Sequence, residues 1–188
     1  MAKLTGAAGL TVVLTIVVAF TTMAEQGDAK KRAPRQAKNA IFLMGDGMGP
    51  AHRDAIQLAT VGAHDRLRMD KPSYQGMLGT NAADPDELVT DSAAGATSFA
   101  SGVKTYNGAI GVGVNGDPVQ TIVERAKAAG KSVGLVTTSQ VTGASPAAFG
   151  AHVEDRDEQS EIARQFIEET KVDVILGGGE DRWYPRGP

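Results

Sequence analysis

Ser132-Val133-Gly134-Leu135-Val136-Thr137-Thr138 and Val172-Asp173-Val174-Ile175-Leu176-Gly177 are two short apolar runs, each preceded by a segment of helical period. Val119 to Ala129 puts Ile122, Val123 and Ala126 on one face and closes at Gly130, a residue that accepts the left-handed backbone of a helix end. Glu158 to Thr170 puts Ile162, Phe166 and Ile167 on one face. Continuous apolar runs suit strands covered on both faces. Their alternation with helices at this spacing predicts right-handed crossovers and a mainly parallel sheet.

Working upstream, Gly108 to Gly116 is glycine-punctuated and predicts a strand or hairpin. Asn39-Ala40-Ile41-Phe42-Leu43-Met44 is another unbroken apolar run, read as a buried strand that ends at Gly45-Asp46-Gly47-Met48-Gly49-Pro50. Asp46 is then expected at the carboxyl end of a strand, the edge where open α/β sheets place ligands. The glycines do not make a dinucleotide fingerprint, because its third glycine falls on Pro50. No phosphate-cradling Gly-x-x-x-x-Gly-Lys-Ser/Thr occurs either. Glycines flanking one carboxylate suit either a metal ligand at Asp46 or an ordinary strand-to-helix turn. Pro50 to Thr60 predicts a helix with proline in its first turn and an apolar side of Ile56, Leu58 and Ala59, and Gln75 to Thr80 predicts a short strand.

Composition sets outer limits. The 188 residues are 41% hydrophobic and 22% charged, ordinary for a globular chain, while 5% aromatics and 23 glycines suggest a loop-rich interior packed with small residues. A formal charge of −3 gives no reason to expect nucleic acid as a partner. Residues 4–24 carry no charge, follow Lys3 and contain the run Leu10 to Phe20, the layout of a secretory signal peptide ending near Ala24. An uncleaved anchor is the alternative, and the chain would meet a membrane only in that case. Lys30, Lys31, Arg32, Arg35 and Lys38, in the basic tether 25–38, oppose it. No cysteine is present, so this exported chain is expected to rely on packing and metals.

The chemistry centres on Val89-Thr90-Asp91-Ser92-Ala93-Ala94, where helix-starting residues precede a small-residue run. Ser92 in a first helical turn faces unpaired N–H groups and the positive end of the dipole, a setting for a phosphoryl group, though a simple N-cap has the same sequence. Together with Gly45-Asp46-Gly47-Met48-Gly49 and the segment from Ser145-Pro146-Ala147-Ala148 through His152-Val153 to Arg156, the chain resembles the alkaline phosphatase family over roughly residues 39–180. The resemblance implies a three-layer α/β/α sandwich with a mainly parallel sheet, of which 39–188 forms the N-terminal part of the catalytic domain. It also implies hydrolysis of phosphate monoesters through a phosphoserine at Ser92, with Arg156 as phosphate clamp and Asp91 orienting Arg156. Two zinc sites and one magnesium site come with it, Asp46 serving zinc and magnesium and Ser145 magnesium.

Gly143 stands where many relatives have Asp or His near the third metal. The family's remaining ligands belong to downstream segments, so residues 1–188 alone are expected to show little or no phosphatase activity. The resemblance also allows a homodimer. His52, His64 and His152 show no metal-ligand spacing. Two other readings stay open: a metal-dependent phosphodiesterase or sulfatase of the same superfamily, and a non-catalytic exported phosphate-binding domain.

Overall fold

The computed structural model describes residues 37–84, 86, 87 and 89–182, so the signal segment 1–24 and nearly all of the tether 25–38 lie outside the described residues. The chain divides into two units, Met1–Leu43 and Met44–Pro188. In the described part of the first, no helix or strand forms, and Ile41 and Leu43 are 87% and 89% exposed. The strand expected over 39–44 is therefore absent from the described residues. An apolar run is only half of a strand, because the backbone must also find a ladder partner.

The second unit runs α1 Pro50–Thr60, α2 Ser92–Ser101, α3 Ile122–Ala128, β1 Gly134–Gln140, α4 Ala144–Gly150, α5 Gln159–Glu168 and β2 Val174–Gly178, with 3-10 turns at Arg68–Asp70 and Glu180–Arg182. β1 and β2 pair in parallel, Gly134 opposite Val174, Leu135 opposite Ile175 and Val136 opposite Leu176. An irregularity then brings Gln140 opposite Gly178. This is an α/β architecture with a parallel sheet, as the alternation predicts. Among the described residues no helix is long and apolar enough to cross a membrane.

Local chemistry explains where elements begin. α3 starts three residues later than its apolar period suggests because the Val119 N–H donates to Gly111 O (2.9 Å). A capping box follows, with Glu124 N–H donating to Thr121 Oγ1 (3.2 Å) and Thr121 N–H to Glu124 Oε2 (2.7 Å). The strands also start two residues late. Before them, Asp173 Oδ2 accepts from the Val133 N–H (2.8 Å) and Lys127 Nζ (3.0 Å). Those bonds hold the Asp173 carboxyl below its ordinary range, the Val133 N–H contributing most. Residues 108–116 form no full strand, only two antiparallel bridges, Ile110 with Val153 and Val112 with Pro118.

The core joins Leu135 of β1, Ala144 and Ala147 of α4, and Ile162 and Phe166 of α5 to Ala93, Ile110, Ala151 and Val153. Gly150 makes room for Phe166, since a Cβ there would stand 3.1 Å from the ring. Small residues let α2 pack closely on α4, where Ala93, Ala147 and Ala148 are fully buried. Ile122 and Ile167, expected inward, are exposed at 57% and 56%, so α3 buries Val123 and α5 buries Ile162, Ala163, Gln165 and Phe166.

Candidate active site

α2 begins at Ser92, and Asp91 is its N-cap, Oδ1 accepting the Ala94 N–H at 2.9 Å. α4 begins at Ala144, so Ser145 also lies in a first turn. Packing of α2 on α4 brings these helix starts toward the turn that carries Asp46, where Gly47 takes a left-handed φ of 63°. The carboxylate joins them: Asp46 Oδ1 accepts from Ser92 Oγ (2.8 Å) and Oδ2 from Ser145 Oγ (2.7 Å). Three residues separated by 46 and 53 positions thus meet on one carboxylate. Asp46 itself lies in a turn that no strand precedes among the described residues, unlike the expectation.

A second cluster adjoins the first through the peptide bond from Asp91 to Ser92. Arg156 Nη1 donates to Asp91 Oδ2 at 3.1 Å, a pair left partly open to solvent. Asp91 Oδ2 also accepts the Gly108 N–H at 3.0 Å, and the Arg156 N–H donates to Gly108 O at 2.9 Å. The structure therefore places all five sequence-selected residues in two linked hydrogen-bonded groups at the start of α2.

Asn107 is a participant that motif reading passed over. Its Oδ1 accepts the Asp91 N–H (2.9 Å), while its Nδ2 donates to Val89 O (2.9 Å) and Glu87 Oε2 (2.7 Å). Its one local signal is the Asn107-Gly108 dipeptide, a turn former, and Gly108 does take φ 89°. His152 lies elsewhere. Its Nδ1 lies 2.6 Å from Gly111 O and its Nε2 3.0 Å from Glu124 Oε1. Burial pushes the Glu124 carboxyl up, but the Thr121 N–H and the His152 ring together outweigh it and hold Glu124 below its ordinary range.

The donor set can be weighed against a metal. Asp46, Ser92 and Ser145 converge as hard oxygens, a chemistry that fits part of a magnesium-type shell. Among the described residues no three His, Cys, Asp or Glu side chains gather where they could hold a metal ion. At Gly143, the N-cap of α4, a Cβ would stand 3.0 Å from Gln140 O, so any larger residue must shift that carbonyl.

Comparison with known proteins adds an independent line. The family model described as alkaline phosphatase matches residues 37–188. Alkaline phosphatase 4 of Bacillus subtilis (strain 168) is 42% identical over 165 residues, covering 83% of this chain and 36% of the relative. The alkaline phosphatase of the Antarctic bacterium TAB5 superposes with TM-score 0.66 at 36% identity, covering 73% of this chain and 39% of that one. A mutant of the TAB5 enzyme with Mg bound in its M3 site gives TM-score 0.64 at 36% identity, with 73% and 38% covered. The chain thus spans little more than a third of the length of these relatives.

Proposed function

Because the chain belongs to the alkaline phosphatase family, we propose that it supplies the nucleophile and the phosphate clamp for hydrolysis of phosphate monoesters. The observation that carries this reading is the linked pair of clusters at the start of α2, Ser92 on Asp46 and Arg156 on Asp91. Ser92 Oγ attacks phosphorus and displaces the alcohol, giving a phosphoserine that water later cleaves, so that one difficult displacement becomes two. Asp46 Oδ1 holds the Ser92 hydrogen, which turns the oxygen lone pairs away from that carboxylate. First-turn N–H groups of α2 favour the added negative charge.

Asp91 engages one edge of the Arg156 guanidinium and leaves two of its nitrogens outside the pair, enough for two non-transferring phosphate oxygens. Asp46 would hold a zinc and a magnesium, and Ser145 the magnesium. Bound divalent cations there favour the ionised serine and neutralise charge on the leaving oxygen. The charge-free run over 4–24 supports export of the protein.

The test is a chimera in which residues 37–188 replace the matching segment of the Bacillus subtilis relative. Zinc- and magnesium-dependent hydrolysis of p-nitrophenyl phosphate is expected, falling at least about a thousandfold in Ser92→Ala. A folded chimera that prefers a diester or a sulfate ester would overturn the monoester assignment. One that hydrolyses none of the three would favour a non-catalytic binding role. Residues 1–188 alone should hydrolyse the same ester little or not at all.

A further inference from the structure

We propose that Asn107 is a positioning residue for the Asp91–Arg156 pair, an inference that rests on the phosphate-clamp reading above. Asn107 takes no part in the reacting groups. Its amide instead ties together the two sides of Thr90: Nδ2 holds Val89 O and Glu87 Oε2, and Oδ1 holds the Asp91 N–H. One half-buried side chain thereby fixes the backbone that leads into Ser92.

The next residue completes the frame. Gly108 donates its N–H to Asp91 Oδ2 and accepts the Arg156 N–H on its carbonyl. Arg156 is therefore located twice from the same dipeptide, at its backbone by Gly108 O and at its head by an Asp91 carboxylate that Gly108 N–H and Asn107 both orient. The segment is in turn locked to α2 itself. Thr97 Oγ1 donates to Ala109 O (3.1 Å) and accepts the Gly111 N–H (2.9 Å), and Thr97 is fully buried. A guanidinium that must meet a phosphate with both arms tolerates little angular error, so a fixed Asp91 matters more than the small energy of any one bond.

The residue type follows from the contacts. They need an acceptor on one side and donors on the other within one short planar group, which the asparagine amide has and aspartate or leucine lacks.

The experiment uses the isotope-labelled chimera described above, with inorganic phosphate as probe, and reads Asp91 amide exchange, the Arg156 guanidinium signals and the phosphate affinity. Asn107→Ala is expected to speed Asp91 exchange about tenfold, to average the distinct Arg156 Nη1 signal and to weaken phosphate binding about tenfold. Glu87→Ala, at an exposed position, should produce the same changes on a smaller scale, and it decides the matter if Asn107→Ala does not fold. Arg156→Lys should abolish phosphate binding and leave Asp91 exchange unchanged. If Asn107→Ala speeds Asp91 exchange while the Arg156 signals and phosphate affinity stay as in the unaltered chimera, Asn107 is merely structural and the proposal falls. If the unaltered chimera binds no phosphate, the clamp reading fails, and the Arg156 signals alone still decide whether Asn107 positions that side chain.

Discussion

α1 and α2 are almost equal in length, 11 and 10 residues, yet α1 buries nothing and α2 buries Ala93, Ala94, Ala96, Thr97 and Ala100. Large apolar side chains alone do not decide this, since Ile56 and Leu58 of α1 are 43% and 63% exposed. What separates them is close approach. The small side chains of α2 admit α4 and the 109–111 segment, so that Thr97 can bond Ala109 and Gly111, whereas α1 has Pro50 at its start and no side-chain cap. The candidate site draws on both regions. Asp46 comes from an exposed turn just before α1, and Ser92, Ser145 and Asp91 come from the packed pair of helix starts.

The largest test of this contrast removes a packed ring on one side and a loose side chain on the other. Phe166 is fully buried against Gly150, so Phe166→Ala should cost about 3–5 kcal/mol in denaturant unfolding. Leu58→Ala in α1 should change stability by no more than about 0.5 kcal/mol. Similar losses in the two variants would break the contrast, because α1 would then be packed in solution.

Particular residues show how much of this was legible in the sequence. α1 was expected over Pro50 to Thr60 and forms over those residues, because proline at a first helical position is a local signal. The α/β alternation and the parallel pairing of β1 with β2 were legible for the same kind of reason, since period and spacing are properties of neighbouring residues. The outward turns of Ile122 and Ile167 were not, because which apolar residue faces in depends on which neighbour arrives. Nor was the exposure of Ile41 and Leu43, which turns on a ladder partner the run itself cannot reveal. At the site, Asp46, Ser92, Ser145, Asp91 and Arg156 stood out through motifs. Asn107 did not, because its bond to Asp91 spans 16 residues and has no period. Gln165 escaped notice likewise: a buried polar residue in α5, it brackets the His152 backbone, accepting its N–H (2.7 Å) and donating to its carbonyl (3.0 Å).

Glycines sharpen the comparison at the next level of effect. Gly111 has φ 60°, and a Cβ there would stand 2.1 Å from Ala151 O. Gly111→Ala therefore combines backbone strain with a clash against main chain, for an expected loss of about 3 kcal/mol. Gly62, just past α1, has φ 83° and nothing within 4 Å of such a Cβ, so Gly62→Ala should lose only the strain, about 1 kcal/mol. Thermal and denaturant unfolding of the two variants measures the difference. Equal losses would mean that the 111–151 approach relaxes freely, and with it the frame that carries Arg156.

The smallest effect is electrostatic and belongs to the packed side. Glu124 caps α3 and reaches His152, and its carboxyl is held below its ordinary 4.5 in the folded chain. A depressed carboxyl stabilises the fold fully above its unfolded value, and that contribution fades as pH falls through the folded value. Glu124→Gln should therefore be less stable than the unaltered chain by a constant amount above about pH 5, with the gap narrowing below it. Glu161 is depressed further, to about 2, first through its bond to Arg164, but this pair lies in solvent on α5, so Glu161→Gln should shift stability little and lose that little on adding salt. Urea unfolding from pH 6 to pH 3 distinguishes the two. If the Glu124→Gln gap does not narrow on acidification, the carboxylate does not join α3 to the His152 segment in solution. The rigidity assigned to the packed side must then come from apolar contact and the Thr97 bonds alone.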